Sequence, residues 1–344
     1  MPAPINPFKQ ALAQGRTVFG CWLGLADPYS AEVMGGAGFD WLVIDGEHSP
    51  NDLRSIRDQL QVLDRGPSHP VVRVPIGETW IIKQVLDAGA QTVLVPMVES
   101  ADQARQLVRA CRFPPHGDRG VGYAMARAAE FSRIADYGPT ADAQICLLVQ
   151  VESRAGLAAL DEILQVDGVD GVFIGPADLA ADLGHLGDMM HPDVQSAIMD
   201  ALTRISASGK AAGILSTDDG MTRNAMDAGA RFVAVGLEAS RAAGFVTSLV
   251  PPAARALPMA LRDSTIAVSD AVGDVVRHNA MFSGRAASYA EIAAGLTFAR
   301  DIETAITARF RFTGNPPGLP SQRRAARLYH RHGVGQGGAR RAPR

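Results

Sequence analysis

Residues 41–75 read WLVIDGEHSPNDLRSIRDQLQVLDRGPSHPVVRVP. The apolar, β-branched runs at the two ends, Trp41–Glu47 and Val71–Pro75, predict strands that are buried on both faces. The stretch Ser49–Leu63 between them has the composition and length of a helix. A strand, a helix and a second strand in this order predict a parallel βαβ unit with a right-handed crossover.

The same alternation continues on both sides of residues 41–75. Strand-like runs occur eight times, at Val18–Leu25, Trp41–Glu47, Val71–Pro75, Thr92–Val98, Ile145–Glu152, Gly171–Ile174, Ala211–Leu215 and Phe232–Gly236. Further helical segments separate them, at Trp80–Ala88, Ser100–Arg112, Gly156–Leu164, Pro192–Ser208 and Asp218–Ala228. Eight such strands, each followed by a helix candidate, favour an α/β fold, the (β/α)8 TIM barrel of about 250 residues, over an open sheet. No GxGxxG motif follows the first strand, so no nucleotide cofactor is predicted.

The composition indicates a soluble globular protein. Of 344 residues, 47% are hydrophobic and 20% are charged, and there are 3 Cys without CxxC spacing. No apolar run reaches the roughly 18–20 residues that cross a bilayer, and the first ten residues do not resemble a signal peptide. We therefore expect a cytoplasmic protein without a membrane partner, in which neither disulfides nor structural zinc are predicted.

The charge and the patterning change toward the C-terminus. Residues 315–344 contain seven Arg and no acidic residue, so residues 1–314 carry a net charge of −10. An acidic body is not expected to bind nucleic acid. We predict a barrel over residues 1–245, an extension over 246–314 with a short strand at Thr265–Val268 and a terminal helix at Tyr289–Arg311, and a disordered Arg-rich tail over 315–344.

Polar residues interrupt the apolar runs where the predicted strands end. Active sites of (β/α)8 barrels lie at the carboxyl ends of the strands. The polar residues there are Asp45, Glu47, His48, Arg73, Gln150, Glu152 and Asp178. Taken singly, each has an ordinary explanation: a histidine after a strand is often a solvated loop residue, and acids often cap helices. Their occurrence together at one end of the barrel favours an active site.

These residue types fit metal-assisted chemistry on a 2-oxo acid. Glu152 and Asp178 supply hard oxygen ligands, which suit Mg²⁺, Mn²⁺ or Co²⁺. Such an ion would act as a Lewis acid on the keto oxygen, while Arg73 stabilises enolate charge and His48 acts as the base. The only lysines, Lys9, Lys83 and Lys210, do not follow strand ends, so a Schiff-base lysine is not predicted.

The sequence resembles a known family along about residues 15–245. The stretches that carry the resemblance are GCWLGLADPYSAEVMGGAGFDWLVIDGEHSP, VVRVP, DAGAQTVLVPMV, RGVGYAMARAAEF, LLVQVES and GVFIGPADLAADLG. In their order and spacing they are similar to the HpcH/HpaI family of class II pyruvate-dependent aldolases. DGEH, VQVES and FIGPADL together are specific, whereas each motif alone is weak.

The resemblance implies a (β/α)8 barrel with a divalent metal, assembled as a hexamer, a trimer of dimers that exchange C-terminal helices. It implies carbon–carbon lyase activity: 4-hydroxy-2-oxo acids from sugar-acid or aromatic-compound catabolism are cleaved to pyruvate and an aldehyde through a metal-bound pyruvate enolate. Candidate substrates include 4-hydroxy-2-oxoheptanedioate and 2-dehydro-3-deoxy-glucarate. The aldehyde partner is not identified by the sequence.

The family's catalytic roles map onto motif positions of this chain. By resemblance, His48 is the catalytic base, with Asp45 beside it. Arg73 resembles the residue that stabilises the enolate-like transition state. Asp87, in DAGA, looks like the acid that raises the basicity of the histidine, supplied by a neighbouring subunit. The two carboxylates discussed above look like the metal ligands.

The resemblance also implies residues that bind the substrate. Gln150 and Ala177 match positions that contact the 2-oxo acid, Ala177 through its backbone, and Gly175 and Pro176 shape that loop. Specificity for the aldehyde is expected from a second group of residues: Trp22, Leu215 and the loop Arg119–Phe131.

Two alternative functions stay open. One is a citramalyl- or malyl-thioester lyase on the same metal scaffold, and the other is a catalytically idle barrel whose basic tail makes it a binding protein. The chain departs from the family chiefly after strand eight, because the terminal-helix motif comes about fifty residues late. Residues 240–288 therefore look like an insertion, which bears on assembly more than on chemistry.

Overall fold

Eight parallel strands close into a barrel in the computed structural model, which describes residues 1–239. The strands are β1 (Val18–Leu23), β2 (Trp41–Asp45), β3 (His69–Arg73), β4 (Thr92–Val95), β5 (Cys146–Val151), β6 (Gly171–Ile174), β7 (Ala211–Leu215) and β8 (Ala230–Leu237). Each strand pairs with the next along the chain, and β8 pairs with β1. The predicted (β/α)8 barrel is confirmed.

Helices lie between successive strands, and one further helix precedes β1. They are α1 (Pro7–Ala13), α2 (Pro28–Gly35), α3 (Leu53–Leu63), α4 (Thr79–Asp87), α5 (Ala101–Cys111), α6 (Tyr137–Ala141), α7 (Arg154–Ala158), α8 (Leu160–Leu164), α9 (Pro176–Asp182), α10 (Pro192–Ala207) and α11 (Asp219–Asp227). Single 3-10 turns occur at Tyr123–Met125, Arg127–Ala129 and Asp142–Gln144. The chain passes from the carboxyl end of each strand into the helical layer and back.

Local sequence signals fix where several helices begin and end. Asp52 and Ser55 form a reciprocal capping box at the start of α3. Ser100 caps α5 by accepting a hydrogen bond from the N–H of Gln103. After α4 and α11 the chain turns through Gly89 (φ 113°) and Gly229 (φ 108°), left-handed conformations that favour glycine.

The apolar core has two layers, one on each face of the barrel wall. The outer layer joins alternate strand residues to the helices, as Ile44, Val72 and Val149 do. The inner layer fills the barrel with large side chains, among them Trp22, Trp41, Leu148, Phe173 and Phe232. Because side chains alternate along a strand, every second residue lies inside the barrel, and the last inward residue of a strand reaches its carboxyl end.

Helix α1 closes the end of the barrel at which the strands begin. The ring of Phe8 stacks on His69, with centroids 5.7 Å apart and planes 7° apart, and it also contacts Trp41 and Phe232. Asn6 donates hydrogen bonds from Nδ2 to the Thr92 hydroxyl and to backbone oxygens of neighbouring loops. We call this the closed end, and we call the carboxyl ends of the strands with their loops the mouth.

The structure refines several predicted boundaries. Predicted strands Trp41–Glu47 and Thr92–Val98 end earlier, because their last residues leave the barrel wall as mouth loops. The predicted helix Gly156–Leu164 is two short helices, α7 and α8, divided at Ala159. No helix among residues 1–239 is long and apolar enough to cross a membrane. The predicted extension (246–314) and tail (315–344), like the end of the predicted barrel at residue 245, lie outside the described residues.

Candidate active site

The register of β2 and β3 places an aspartate beside an arginine at the mouth. Asp45 and Arg73 are paired residues at the ends of these strands, so both side chains reach the same side of the wall. Nε and Nη2 of Arg73 donate to Oδ1 and Oδ2 of Asp45 at 2.8 and 2.7 Å. Burial alone would raise the pKa of Asp45, but these bonds and the guanidinium charge lower it below its ordinary value. Asp45 and Arg73 therefore form an ionised, bidentate salt bridge.

Glu47 is a third charged residue in contact with Arg73, and no role was predicted for it from the sequence. Its Oε2 lies 2.9 Å from Nη1 of Arg73 and 3.8 Å from Nε2 of His48. The His48 side chain itself is 64% exposed, and its backbone N–H donates to Asp45. The signal for Glu47 was present, because it stands inside the DGEH motif. Its relation to Arg73 depends on how the loop after β2 folds back, which no spacing rule gives.

Glu152 is held in a fixed orientation at the end of β5. The alternation that points Leu148 and Gln150 into the barrel also points Glu152 inward, one residue beyond the strand. Nε2 of Gln150 donates to Oε2 of Glu152 at 2.7 Å, and the N–H of Met97 donates to Oε1 at 2.9 Å. Met97 adopts φ 53°, an uncommon conformation outside glycine, and in it presents that N–H to the carboxylate.

Three carboxylates influence one another at the mouth. Burial raises the pKa of Glu152, and the negative charges of Asp178 and Glu47 raise it further. Burial likewise raises the pKa of Glu47, although the charge of Arg73 opposes the shift. Asp178 lies in the first turn of α9 and is exposed. Mutually repelling acids that face one region of space are stabilised when a cation lies between them.

The loop that leads into α9 fits closely around Glu152. A Cβ atom on Gly175 would overlap Oε2 of Glu152 and would lie 2.9 Å from its Cβ, so a side chain is excluded there. Gly175 is the N-cap of α9, Pro176 is its first residue and is buried, and Ala177 follows exposed. The first N–H groups of a helix have no acceptor within the helix and are free for an anion.

Aromatic and aliphatic side chains form the floor of the mouth. Cζ of Arg73 lies 5.3 Å from the ring centroid of Trp22, a cation–π contact. Trp22 is buried against Trp41 and Phe173 inside the barrel. Leu215, at the end of β7, packs against the same interior cluster. The floor therefore supports the guanidinium from the apolar side while Asp45 and Glu47 hold it laterally.

Asp87 is not brought together with these residues within one chain. It is the last residue of α4, a helix that starts on the mouth side and runs back toward the closed end. There its Oδ1 accepts a hydrogen bond at 2.9 Å from Nη2 of Arg119, whose side chain is fully buried. A role of Asp87 beside His48 thus requires a second copy of the chain and stays a prediction.

Glu238 is a second mouth residue that the sequence did not single out for a role. It follows β8, is buried, and accepts at Oε2 the N–H groups of Gly24 and Leu25 at 3.0 and 3.2 Å. It therefore fixes the loop that follows Trp22 at the end of β1. The sequence signal was only an unusual glutamate after the last strand, because its partners lie more than two hundred residues earlier.

The three lysines of the chain are all among the described residues, away from the mouth. Lys9 donates from Nζ to the backbone oxygen of Ile145, and Lys210 donates to those of Val166 and Val169, all at the closed end. Lys83 lies within α4 of the outer layer. The mouth groups described above are carboxylates together with the amide of Gln150, the imidazole of His48 and the guanidinium of Arg73.

The fold and this mouth define a (β/α)8-barrel enzyme whose site is built from acidic oxygens around one arginine. Residues 18–243 match the family model described as HpcH/HpaI aldolase/citrate lyase, and the chain belongs to this family. The predicted family and the predicted class, a carbon–carbon lyase of the aldolase type, are confirmed.

Relatives and solved structures give the degree of similarity. The hydroxypyruvate/pyruvate aldolase of Roseobacter denitrificans is 67% identical over 238 residues, which cover 69% of this chain and 93% of that protein. The 4-hydroxy-2-oxo-heptane-1,7-dioate aldolase of Escherichia coli is 52% identical over 252 residues, or 73% of this chain and 93% of that protein. The crystal structure of a family protein from Burkholderia cenocepacia has a TM-score of 0.68 and 43% identity, covering 71% of this chain and 97% of that one.

Proposed function

We propose that the chain is a divalent-metal-dependent aldolase that cleaves 4-hydroxy-2-oxo acids to a 2-oxo acid and an aldehyde, and that runs the reverse addition. The observation that carries the proposal is the mouth itself, where Asp45 and Glu47 contact the guanidinium of Arg73 and where Glu152 interacts with the negative charges of Asp178 and Glu47. The 2-oxo acid released is pyruvate or hydroxypyruvate, because the relative with 67% identity is named for both.

The donor set fits a hard cation. Glu152 and Asp178 would hold Mg²⁺, Mn²⁺ or Co²⁺ through oxygen, and Glu47 adds negative charge nearby. Among residues 1–239, Oε1 of Gln150 is buried without a hydrogen-bond partner. A ligand or a water molecule at the mouth would satisfy that atom, and Gln150 would then contact both the substrate and Glu152. When bound, the metal supplies Lewis-acid polarisation of the substrate's keto group.

Arg73 stabilises the charge that develops during cleavage. When the C3–C4 bond breaks, its electron pair moves toward the keto group of the 2-oxo acid, and the aldehyde departs. The guanidinium has five N–H donors; two donate to Asp45, one lies on the Nη1 atom that is 2.9 Å from Glu47, and two others remain. The remaining two are available to the keto oxygen, and the two carboxylates keep the group immobile so that no reorientation is needed.

His48 is positioned to move the proton. We assign it the removal of the proton from the 4-hydroxyl group and its return to C3 of the 2-oxo acid, as general base and then general acid. Oε2 of Glu47 lies 3.8 Å from its Nε2, next to the group that carries the proton in this proposal. Gly175 and Pro176 set the start of α9 so that the N–H of Ala177 receives the substrate carboxylate, and Trp22 and Leu215 bound the aldehyde side.

Assembly completes the site in this proposal. Asp87 ends α4, away from the mouth of its own barrel, so we assign the acid that supports His48 to a neighbouring copy of the chain. The assembly proposed is a hexamer, a trimer of dimers. The compartment proposed is the cytoplasm, whose reducing conditions suit three buried cysteines without CxxC spacing.

The test is metal-dependent release of the 2-oxo acid from a panel of 4-hydroxy-2-oxo acids. Enzyme stripped with a chelator should be inactive, and Mg²⁺, Mn²⁺ or Co²⁺ should restore release. E152Q should not be restored, whereas E162Q, on an exposed glutamate of α8, should behave as the wild type. Release that survives chelation would contradict the metal, and activity confined to citramalyl or malyl thioesters would contradict the aldolase.

A further inference from the structure

A second group of metal-binding side chains lies outside the mouth, where α10 begins. His185 and His191 stand in the loop between α9 and α10, and Asp193 is in the first turn of α10. The two imidazole rings stack with centroids 3.5 Å apart and planes 16° apart. One ligand atom from each of the three residues lies within 4.8 Å of the other two.

The loop holds this group in place through its own backbone. The N–H of His185 donates to Ala180 at 2.7 Å, and the N–H of His191 donates to Asp188 at 3.2 Å. Gly184 and Gly187 turn the chain in left-handed conformations, with φ 91° and 83°. The three side chains are therefore presented by a closed turn at the start of a sixteen-residue helix.

The separations are close to those of a tetrahedral zinc site. Oδ2 of Asp193 lies 3.6 Å from Nε2 of His185 and 3.8 Å from Nδ1 of His191. Ligand bonds of about 2.0–2.2 Å at tetrahedral angles place neighbouring ligand atoms roughly 3.3 Å apart. The two edges to Asp193 therefore need to shorten by only a few tenths of an ångström. The ligand atoms of the two histidines lie within 4.8 Å of each other, and the two rings have to tilt away from parallel to meet at one ion.

The nitrogen of His191 that would bind the metal is an acceptor in this structure. Its Nδ1 accepts the N–H of Asp193 at 3.2 Å, so this nitrogen carries no proton in the capping arrangement. A cation would replace that N–H at Nδ1 while Nε2 keeps its proton. Partial exposure of the side chains, 26% for His185 and 33% for His191, leaves an entry path and room for a water ligand.

We propose that His185, His191 and Asp193 form a binding site for a borderline divalent transition metal, with zinc as the best fit. Two imidazoles and one carboxylate select such ions, whereas the oxygen ligands of the mouth select harder ones. The two sites therefore differ in metal preference. Metal here would pin the loop to the first turn of α10 and stabilise the folded chain in proportion to occupancy.

The test is zinc titration by calorimetry on the full chain with the mouth ligands removed. The E152Q/D178N protein should bind one equivalent of zinc. The same stoichiometry should remain after H330N and H332N are added, which remove two histidines outside the described residues. Adding H191N, which keeps a good capping side chain, or H185N should weaken binding at least about tenfold. D188N, on an exposed aspartate of the same loop, should leave the affinity unchanged.

X-ray absorption of the zinc-loaded E152Q/D178N/H330N/H332N protein gives a readout without further substitution. Two imidazole ligands per zinc, with a rise in Tm on zinc addition, are expected. The proposal is overturned if that protein binds no zinc, if the bound zinc has no imidazole ligand, or if H185N and H191N together leave its affinity as it was.

Discussion

Strand β3 carries two cationic residue types, one at each end, and the barrel treats them in opposite ways. At the closed end His69 stacks on Phe8 and shares a hydrogen bond with Thr92, and burial lowers its pKa to about 4, so it is neutral. At the mouth Arg73 keeps its charge between Asp45 and Glu47. These two residues are four positions apart on one strand. Between them the barrel interior changes from a region that keeps a histidine neutral to one that holds an arginine between two carboxylates.

The difference separates stability from chemistry. The closed end removes apolar surface from water around the neutral ring of His69, so its contribution is to folding. The mouth concentrates carboxylates whose mutual repulsion is unfavourable and would be relieved by the proposed cation. Substitutions at the two ends should therefore change different measurements.

H48A should have the largest effect at the mouth. Loss of a general acid–base residue typically lowers turnover about 10²- to 10⁴-fold. The free energy of unfolding should hardly change, because the His48 side chain is 64% exposed. Pyruvate release and urea denaturation measure the two quantities, with H116A as the exposed-histidine control. Turnover that persists in H48A would remove His48 as the base.

F8A should produce the reverse at the closed end. Truncating a buried phenylalanine typically costs about 3–5 kcal/mol of unfolding free energy. Phe8 is 3% exposed and contacts three aromatic rings. F131A, on a phenylalanine that is 61% exposed, should stay within about 0.5 kcal/mol. A fall in kcat of folded F8A protein would show that the two ends are coupled.

G175A tests whether the position of the Glu152 carboxylate determines metal affinity at the mouth. The new methyl group would displace the Glu152 carboxylate, and φ −90° is ordinary for alanine, so the effect is steric and local. We expect metal affinity to fall at least about tenfold with little change in Tm. G122A is the matched control, because a Cβ there meets nothing within 4 Å. Unchanged metal affinity would mean that Glu152 is not a ligand.

The smallest expected effect is a pH dependence from His69. Between its unfolded pKa near 6.5 and its folded pKa of about 4, the unfolded chain binds a proton that the folded chain does not. Stability contributed by the neutral ring is therefore lost progressively as the pH falls through this interval. H69Q should flatten the decline in unfolding free energy between about pH 7 and about pH 5, whereas H116N should not. An identical decline in H69Q would assign it to other groups.

The strands and the mouth residues on them could be predicted because both follow from local pattern. Parallel strands have their carboxyl ends on one side, so Asp45, Arg73 and Glu152 converge whatever the details of packing. Contacts made by loops could not be predicted in this way. The positions of Glu47 and Glu238 depend on how two mouth loops fold back, and their partners are set by tertiary packing. Asp87 differs again, since its predicted role depends on a second chain.

The closed end also escaped prediction, for a related reason. Residues 7–13 form a helix of two turns, too short for apolar periodicity to identify. Its importance comes from partners far along the chain, such as Phe232.

That long sequence separation bears on the order in which the chain folds. Helix α1 comes before all eight strands along the chain, yet the rings of Trp41, His69 and Phe232 that receive Phe8 belong to β2, β3 and β8. Its contacts with Trp41 and His69 can form early, but its docking is complete only when β8 has brought Phe232 into place. Contacts of such high sequence separation form slowly and late. Burial of Phe8 should thus mark the final step of barrel closure, and until then the start of the chain remains accessible to chaperones and proteases.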